Sequence, residues 1–319
     1  MKNLKSILGL ILLVVFALTA CKDDETAQIL PPTPQEFDNL REKALEDRIR
    51  EFQFNADDGL TTFTTAEGAQ ITIDGNCLIT PGGGNVTGNI TIEGLNMYSR
   101  GDMLVTNKPT MGSTPGGSKK MLISGGEFLI TASKDDNPLE ITCGYSLVIP
   151  GNLTGGVQQG MKPWNGVINP EGDNLTWEED TTAQVFNEGG MYYAFFNDFG
   201  WTNVDKFYDD PRPKTTILAE VPDGYNNTNS AVYLSYDGEG AGLANLDVYD
   251  TSSERFSEHY GQIPIGLQCH AIFVTAEGDQ WRYAVKSVTI TANDVIQFDL
   301  NETQLASEAQ LTAAINALP

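Results

Sequence analysis

The first half of this chain alternates apolar and polar residues with a period of two, and glycine-rich segments interrupt the alternation. Four segments show this pattern, and each is typical of a strand with one buried face. The segments are 69–73, 86–95, 121–132 and 139–149. Turn residues at 81–84 and 134–138 separate them. The pattern predicts antiparallel strands, and their spacing favours a β-sandwich over 57–155.

The second half has strands of the same character. They are predicted at 191–196, 214–221, 231–236, 266–275, 281–291 and 295–300, with turn signals such as Gly189-Gly190 and Asp223-Gly224 between them. We therefore predict a mainly β fold. It comprises two antiparallel β-sandwich-like domains, 57–155 and 156–301, with an N-terminal and a C-terminal helix.

The N-terminal helix is predicted over 34–53. Thr33 and Glu36 have the spacing of a capping box, and Pro34 occupies the first helical position. Apolar residues follow at helical intervals, from Phe37 to Phe52. This stripe either packs on the first sandwich or mediates self-association or binding to a partner.

The C-terminal helix is predicted over 302–319, with Asn301 as its N-cap and Gln304 at its third position. Apolar residues from Leu305 to Leu318 lie broadly on one side. We interpret this helix as a lid on the second domain.

The chain begins with the features of an export signal. Lys2 and Lys5 precede an apolar run over 7–18, which is short for a membrane span. Residues 1–20 are therefore predicted to be a cleaved signal peptide. The small residues before Cys21 resemble the lipobox of bacterial lipoproteins, and this resemblance implies that Cys21 is acylated and anchors the mature chain in a membrane.

Segment 21–33 is predicted to be a lipidated tether, because Pro31 and Pro32 favour an extended conformation. It begins with Cys21, and the next four residues are Lys22-Asp23-Asp24-Glu25. These four resemble the surface-export tag of Bacteroidetes lipoproteins, which implies an outer-membrane location facing outward. The alternative is a solvated spacer.

The chain is strongly acidic, with 43 Asp and Glu against 19 Lys and Arg and a formal net charge of −24. Removal of 1–20 takes away two lysines and no acid, which makes the charge more negative by two. Such a chain is repelled by phosphate backbones, so nucleic acid is not an expected partner. The acidic segments lack the spacing of a calcium loop, and we predict no metal and no cofactor.

Three cysteines remain after Cys21. Cys77 and Cys143 lie in the same predicted domain and form the favoured disulfide, because export exposes them to an oxidising compartment. Small buried unpaired cysteines are the alternative. Cys269 is left over.

Several segments resemble an extracellular β-sandwich found in Bacteroidetes lipoproteins, a module distantly similar to the sandwich of ankyrins and netrin receptors. The resemblance rests on 86–93, 98–103, 106–110 and 124–128. A further segment, 200–207, resembles a Gly-Trp-x-Asn-x-Asp-(Arg/Lys)-Phe sequence of the same class of proteins. These resemblances imply a fold and a surface setting, and no catalytic residue follows from them.

The chain lacks the common nucleophile, phosphate-loop and zinc-protease motifs. Its two histidines are His259 and His270. Cys269 and His270 are adjacent on a predicted strand and therefore point to opposite faces, so they do not form a catalytic pair. We predict that the protein is not an enzyme.

Core packing is the favoured interpretation of the aromatic residues between 164 and 208, because alternation sends Tyr192 and Phe195 to opposite faces of a strand. The alternative is a binding surface, because sugars stack on aromatic rings. Trp164 and Trp201 lie in segments flanked by glycine and proline and are the predicted ligand-binding residues, together with Asp205. Asp180-Thr181-Thr182 resembles the sequence at which Bacteroidetes proteins receive O-glycans, which implies modification at Thr181.

The predicted function is non-catalytic binding or envelope assembly at the cell surface, with glycan capture as its most concrete form. A first alternative is a structural accessory subunit of an envelope complex that uses the helix stripe over 34–53. A second is a glycoside hydrolase, for which the candidate acids are Glu178-Glu179-Asp180, Asp205 and Asp209-Asp210.

Overall fold

The computed structural model describes residues 29–168 and 175–319. Pro31–Pro319 forms one compact unit. The signal peptide, Cys21 and the Lys22-Asp23-Asp24-Glu25 segment lie outside the described residues. The structure is 50% strand and 14% helix, which confirms the mainly β prediction, with one helix near the N-terminus and one at the C-terminus.

Helix α1, Pro34–Glu46, begins at the predicted capping box. The Thr33 side chain accepts from the Glu36 backbone, and the Glu36 carboxylate accepts from the Thr33 backbone N–H at 2.7 Å. The helix is shorter than predicted, because Arg50–Asn55 forms a strand instead. Phe52 and Phe54 occur at alternate positions, and pairing with a neighbouring strand prevails over the helical spacing of Phe52.

The first sandwich contains fifteen strands and the short helix α2, Arg100–Val105. The strands are β1 Arg50–Asn55, β2 Leu60–Thr64, β3 Gln70–Asp74, β4 Leu78–Ile79, β5 Asn89–Met97, β6 Met111–Ser113, β7 Lys119–Lys134, β8 Asn137–Pro138, β9 Glu140–Ile141, β10 Tyr145–Pro150, β11 Lys162–Ile168, β12 Leu175–Glu179, β13 Gln184–Glu188, β14 Met191–Phe196 and β15 Gly200–Phe207.

These strands form two principal sheets that enclose a shared apolar core. The larger sheet has the order β1-β5-β7-β15-β11-β12-β6, with β8 beside β7. It closes on itself, because β6 pairs with β7 as well as with β12. The smaller sheet has the order β13-β14-β10-β3-β2. The Cys77–Cys143 disulfide, the favoured of the two predicted states, lies next to the small β4–β9 pair.

The second sandwich follows as strands β16 to β24, whose bounds are β16 Lys214–Glu220, β17 Ser230–Tyr236, β18 Ala244–Asn245, β19 Val248–Asp250, β20 Arg255–Pro264, β21 Gln268–Glu277, β22 Gln280–Thr289, β23 Val295–Gln297 and β24 Gln304–Ala306. They form the sheets β19-β20-β16-β23 and β18-β17-β21-β22-β24. In the described part of the chain, β6–β12 and β16–β23 are the parallel pairings.

The division between the two sandwiches falls later than the predicted boundary after residue 155. Strands β11 to β15 pair with strands of the first half, as in β15 with β7 and β14 with β10. Strands β11 to β15 therefore belong to the first sandwich, and the second begins with β16. Strand β7 also links the two, because Met121 packs in the core of the second sandwich.

Three helices cover one face of the second sandwich. The C-terminal helix α3, Glu308–Asn316, is shorter than the predicted 302–319. Its N-cap is Ser307 instead of Asn301, because Gln304–Ala306 pairs with β22. Phe37 of α1 lies edge-on to Trp281, with ring centroids 6.1 Å apart. The apolar stripe of α1 is thus covered within the chain.

Candidate functional site

The predicted ligand-binding residues are buried. Trp164 is 1% exposed, Trp201 is 8% exposed and Asp205 is not exposed. All three belong to the closed part of the larger sheet, where the Trp164 indole N–H donates to the backbone oxygen of Asp205 at 3.0 Å. The interpretation of Trp164 and Trp201 as exposed residues of loops is therefore wrong, because they lie within β11 and β15. Because the sheet closes on itself, the two indole rings pack inside it as part of an apolar core.

A buried polar network lies beside these tryptophans. Ser124 Oγ donates to Asn203 Oδ1 at 2.9 Å, and Asn203 Nδ2 donates to Asp205 Oδ2 at 2.7 Å. The Asn203 amide also lies 3.5 Å from Glu127 Oε1. Ser124, Glu127, Asn203 and Asp205 are fully buried. Segments 124–128 and 200–207, which carry the sequence resemblance, thus meet inside the protein.

Burial governs the ionisation of the two acids in this network. It raises the pKa of Asp205 well above its usual range, against hydrogen bonds from Ser124 and the Gly125 backbone. Burial also raises the pKa of Glu127, and the neighbouring Asp205 adds to this effect while Lys108 opposes it. Such a site favours protonated carboxyl groups inside a packed core.

The other acids considered for hydrolysis are engaged in surface contacts. Asp210 accepts from Arg212 Nε at 3.0 Å, and this hydrogen bond holds the pKa of Asp210 below its usual range. Glu179 pairs with Lys162 at 2.7 Å. Asp180 accepts from the Thr182 backbone N–H at 2.8 Å and stabilises the turn before β13. Each of these acids therefore has a local structural partner.

Cys269 and His270 lie on opposite faces of β21, as the alternation predicts. Cys269 is buried in the core of the second sandwich, and burial raises the pKa of its thiol to about 12. His270 Nδ1 is 2.8 Å from Asp237 Oδ1 on the other face. The thiol and the imidazole do not form a nucleophile and base pair.

Exposed aromatic rings occur on the smaller sheet of the first sandwich. Phe186 is 48% exposed and Phe195 is 45% exposed, while Tyr193 is half-buried. Phe186 stacks on Tyr193 with ring centroids 5.1 Å apart and an interplanar angle of 8°. It also stacks on Phe195, at 6.1 Å and 20°. We call these three residues the aromatic stack.

The aromatic stack is one end of a larger surface formed by two adjacent cross-strand rows. One row runs Phe186, Tyr193, Val148, Gln70, Thr64, and the other runs Gln184, Phe195, Ser146, Thr72, Thr62. Alternation points all ten side chains away from the core. We call these ten residues the uncharged face, because none carries a charge although the chain is strongly acidic.

A groove lies between the β2–β3 hairpin, at the opposite edge of the smaller sheet from β13, and strands β1 and β5 of the larger sheet. Its cavity volume is about 400 Å³, within the range of small-molecule sites. Phe52, Ile71 and Gly94 contribute apolar lining, whereas polar groups come from Thr64, Thr65, Glu67, Asn96 and the arginines 48 and 50. Thr64 belongs to both the groove and the uncharged face.

Thr181 is exposed in the turn between β12 and β13. The neighbouring Asp180 is held by hydrogen bonds to Thr182 and Ala183, which leaves Thr181 at the outside of the turn. Glycosylation of Thr181 remains a prediction. Its position is three residues before Gln184, the first residue of β13.

Two general features of the described residues bear on function. Over 29–168 and 175–319, no helix has both the length and the apolar character needed to cross a bilayer. In the same two ranges, no group of three or more His, Cys, Asp and Glu side chains is placed to hold a metal ion. A comparison with protein-family models finds no match for this chain, and a comparison with curated proteins finds none either.

The sequence also indicates a hairpin that contains Phe186, a residue absent from the predicted ligand-binding set. Val185 and Phe186 form a short apolar pair within 184–188, and Gly189-Gly190 separates this segment from the clear strand at 191–196. Two glycines between such segments are typical of a β-hairpin, and both adopt positive φ here, at 58° and 83°. The hairpin places Phe186 directly opposite Tyr193.

Proposed function

We propose that this protein is a non-catalytic, lipid-anchored binding protein of the outer bacterial surface that captures neutral saccharides on the uncharged face. The aromatic stack is the observation that carries the proposal. Aromatic rings offer apolar faces to the C–H groups of a sugar, and neighbouring amide and hydroxyl groups match its hydroxyls.

The composition of the face favours a saccharide over other occupants. Phe186, Tyr193 and Phe195 supply the rings, while Gln70, Gln184 and the Thr and Ser residues supply uncharged donors and acceptors. A polyanion is repelled by the acidic chain, and a second copy of the chain carries the same charge. A neutral polyhydroxylated chain meets neither obstacle.

Binding of immobilised glycans by the full chain, purified in detergent, tests this proposal. We expect binding to neutral glycans, at least ten times weaker for Phe186→Ala and for Phe195→Ala. Leu305→Ala is the matched control, because Leu305 is a 43% exposed apolar residue of the second sandwich. Equal binding by the wild type and Phe186→Ala would contradict the proposal, as would binding of a fixed protein partner in place of any glycan.

The proposed anchor has a separate test. Cells fed a labelled fatty acid should incorporate the label into the wild type and not into Cys21→Ala. Extracellular protease should then remove the protein from intact cells. Protection until the outer membrane is opened would place the protein on the inner side and contradict the surface location.

A further inference from the structure

We infer that the uncharged face and the groove form one continuous site for an extended oligosaccharide that lies across the strands. This inference rests on the proposed function and names its ligand more closely. One end of the oligosaccharide lies on the aromatic stack, and the other enters the groove beside β2. The site is therefore suited to a linear chain of several sugar units in preference to a mono- or disaccharide.

Strand register supplies the path between the two ends. Phe186 is opposite Tyr193, Tyr193 is opposite Val148, and the row continues through Gln70 to Thr64. Thr64 lines the groove. Five strands at their normal spacing place β13 and β2 about 19 Å apart. An unbroken row of exposed or half-buried side chains thus leads from the aromatic stack to the groove.

The groove contains groups that recognise a polyhydroxylated end. Asn96 Nδ2 donates to Glu67 Oε2 at 2.9 Å, which holds two planar polar side chains side by side. Such side chains present donors and acceptors in fixed directions for neighbouring hydroxyl groups. Phe52 lies in the same groove as an aromatic wall.

Arg50 adds a cationic donor at this end. Its Nη1 donates to the backbone oxygens of Asp47 and Ile49 at 2.8 Å each. By contrast, Arg48 in the same groove is engaged by Asp102 at 2.8 Å and Glu308 at 2.6 Å. The Arg50 guanidinium also carries the N–H groups of Nε and Nη2, and these can donate to ring or hydroxyl oxygens of a sugar.

Gly94 leaves space in the groove because it has no side chain. A Cβ at this position would lie 3.4 Å from Phe52 Cε2 and 3.8 Å from Ile71 Cδ1. A larger side chain would fill the space between the two apolar residues. Gly94→Leu is therefore expected to block the groove without touching the aromatic stack.

Titration of a length series of the best-bound glycan, from one to eight units, tests the inference. For the wild type, we expect the affinity to rise with length until the chain spans both ends and then to level off. Asn96→Ala and Gly94→Leu should weaken the longest glycans at least tenfold and change binding of the shortest ones less than twofold. Glu93→Ala is the control on the same strand, because its side chain lies on the opposite face of β5 from Asn96.

The outcomes separate this inference from the proposed function. Affinity that does not depend on length, or long glycans that bind Asn96→Ala and Gly94→Leu as tightly as the wild type, would overturn the extended site and leave capture by the aromatic stack standing. Loss of all binding in the groove variants, with the fold intact by circular dichroism, would also overturn it. Unchanged binding by Phe186→Ala would overturn both proposals.

Discussion

The Arg100 guanidinium donates a hydrogen bond of 2.6 Å to Ser235 Oγ in the interior of the protein. Arg100 begins α2 in the first sandwich, whereas Ser235 lies on β17 of the second. The same guanidinium donates to the backbone oxygens of Leu318 and of Pro319, the latter at 3.0 Å. One side chain, 2% exposed, therefore joins both sandwiches and the segment after α3.

Replacement of Arg100 should release this segment. Arg100→Met removes the charged donor and leaves buried oxygens without a partner, so we expect a loss of roughly 3 kcal/mol in the free energy of unfolding. Hydrogen exchange should also increase in α3. Arg100→Lys retains one donor and should lose less. Unchanged exchange in α3 of Arg100→Met would show that the segment is held by other contacts.

Glu258 should make the stability of the protein fall as the pH rises. It is 2% exposed, and burial raises its pKa from 4.5 to about 7, against backbone hydrogen bonds from Gln262 and Gly261. This carboxyl interacts electrostatically with three titratable groups, Asp247, Tyr260 and Tyr236.

The sign follows from the raised pKa. Between pH 4.5 and 7 the native state binds more protons than the unfolded state, so the stabilisation is complete below pH 4.5 and is lost as the pH rises towards 7. The shift corresponds to about 3 kcal/mol. Glu258→Gln should abolish this part of the pH dependence in urea unfolding. If the free energy of unfolding had the same dependence on pH between 5 and 7.5 in the wild type and in Glu258→Gln, the raised pKa of Glu258 would be contradicted.

The Glu127 and Asp205 pair should respond to substitution as protonated acids. Glutamine has nearly the shape of a protonated Glu127, so Glu127→Gln should retain the neutral-pH stability within about 1 kcal/mol and resist alkaline unfolding better than the wild type. Asp205→Asn is the parallel variant. Loss of several kcal/mol in Glu127→Gln at every pH would show that the native state needs an ionised Glu127.

The Cys77–Cys143 disulfide joins two residues that are 66 positions apart in the sequence. Loop-closure entropy predicts that the double variant Cys77→Ala, Cys143→Ala loses about 4 kcal/mol in the free energy of unfolding. Reducing agent should destabilise the wild type and leave the double variant unchanged. Intact-mass measurement without reductant should find the wild type two hydrogens lighter than its reduced form; an unchanged mass would mean that the bond is absent.

The strand content of this fold could be predicted from sequence because it is a local property. Segment 191–196 was predicted with the bounds that the structure has, and 231–236 was predicted to within one residue. Membership of a sheet is not local. Strand β15 lies after the predicted boundary at residue 155, as β16 does, yet it pairs with β7 on the other side of that boundary.

The exposed aromatic surface is harder to predict, because it depends on which face of a strand is covered. Trp201 follows Gly200, and a glycine at this point of the sequence is typical of a loop. In the structure Gly200 has a positive φ of 131°, but Trp201 belongs to strand β15 of the closed sheet. Phe195 is six residues before Trp201 in the sequence, and its ring is exposed. Alternation correctly places Tyr192 and Phe195 on opposite faces, and only the assembled sheet shows which face meets solvent.

The most direct test of saccharide capture is a crystal structure of the protein with the tightest-binding neutral oligosaccharide. We expect sugar rings to lie over Phe186, Tyr193 and Phe195, with further units extending along the row through Gln70 towards Thr64. Saccharide bound elsewhere on the molecule, with the aromatic stack left in solvent, would contradict it.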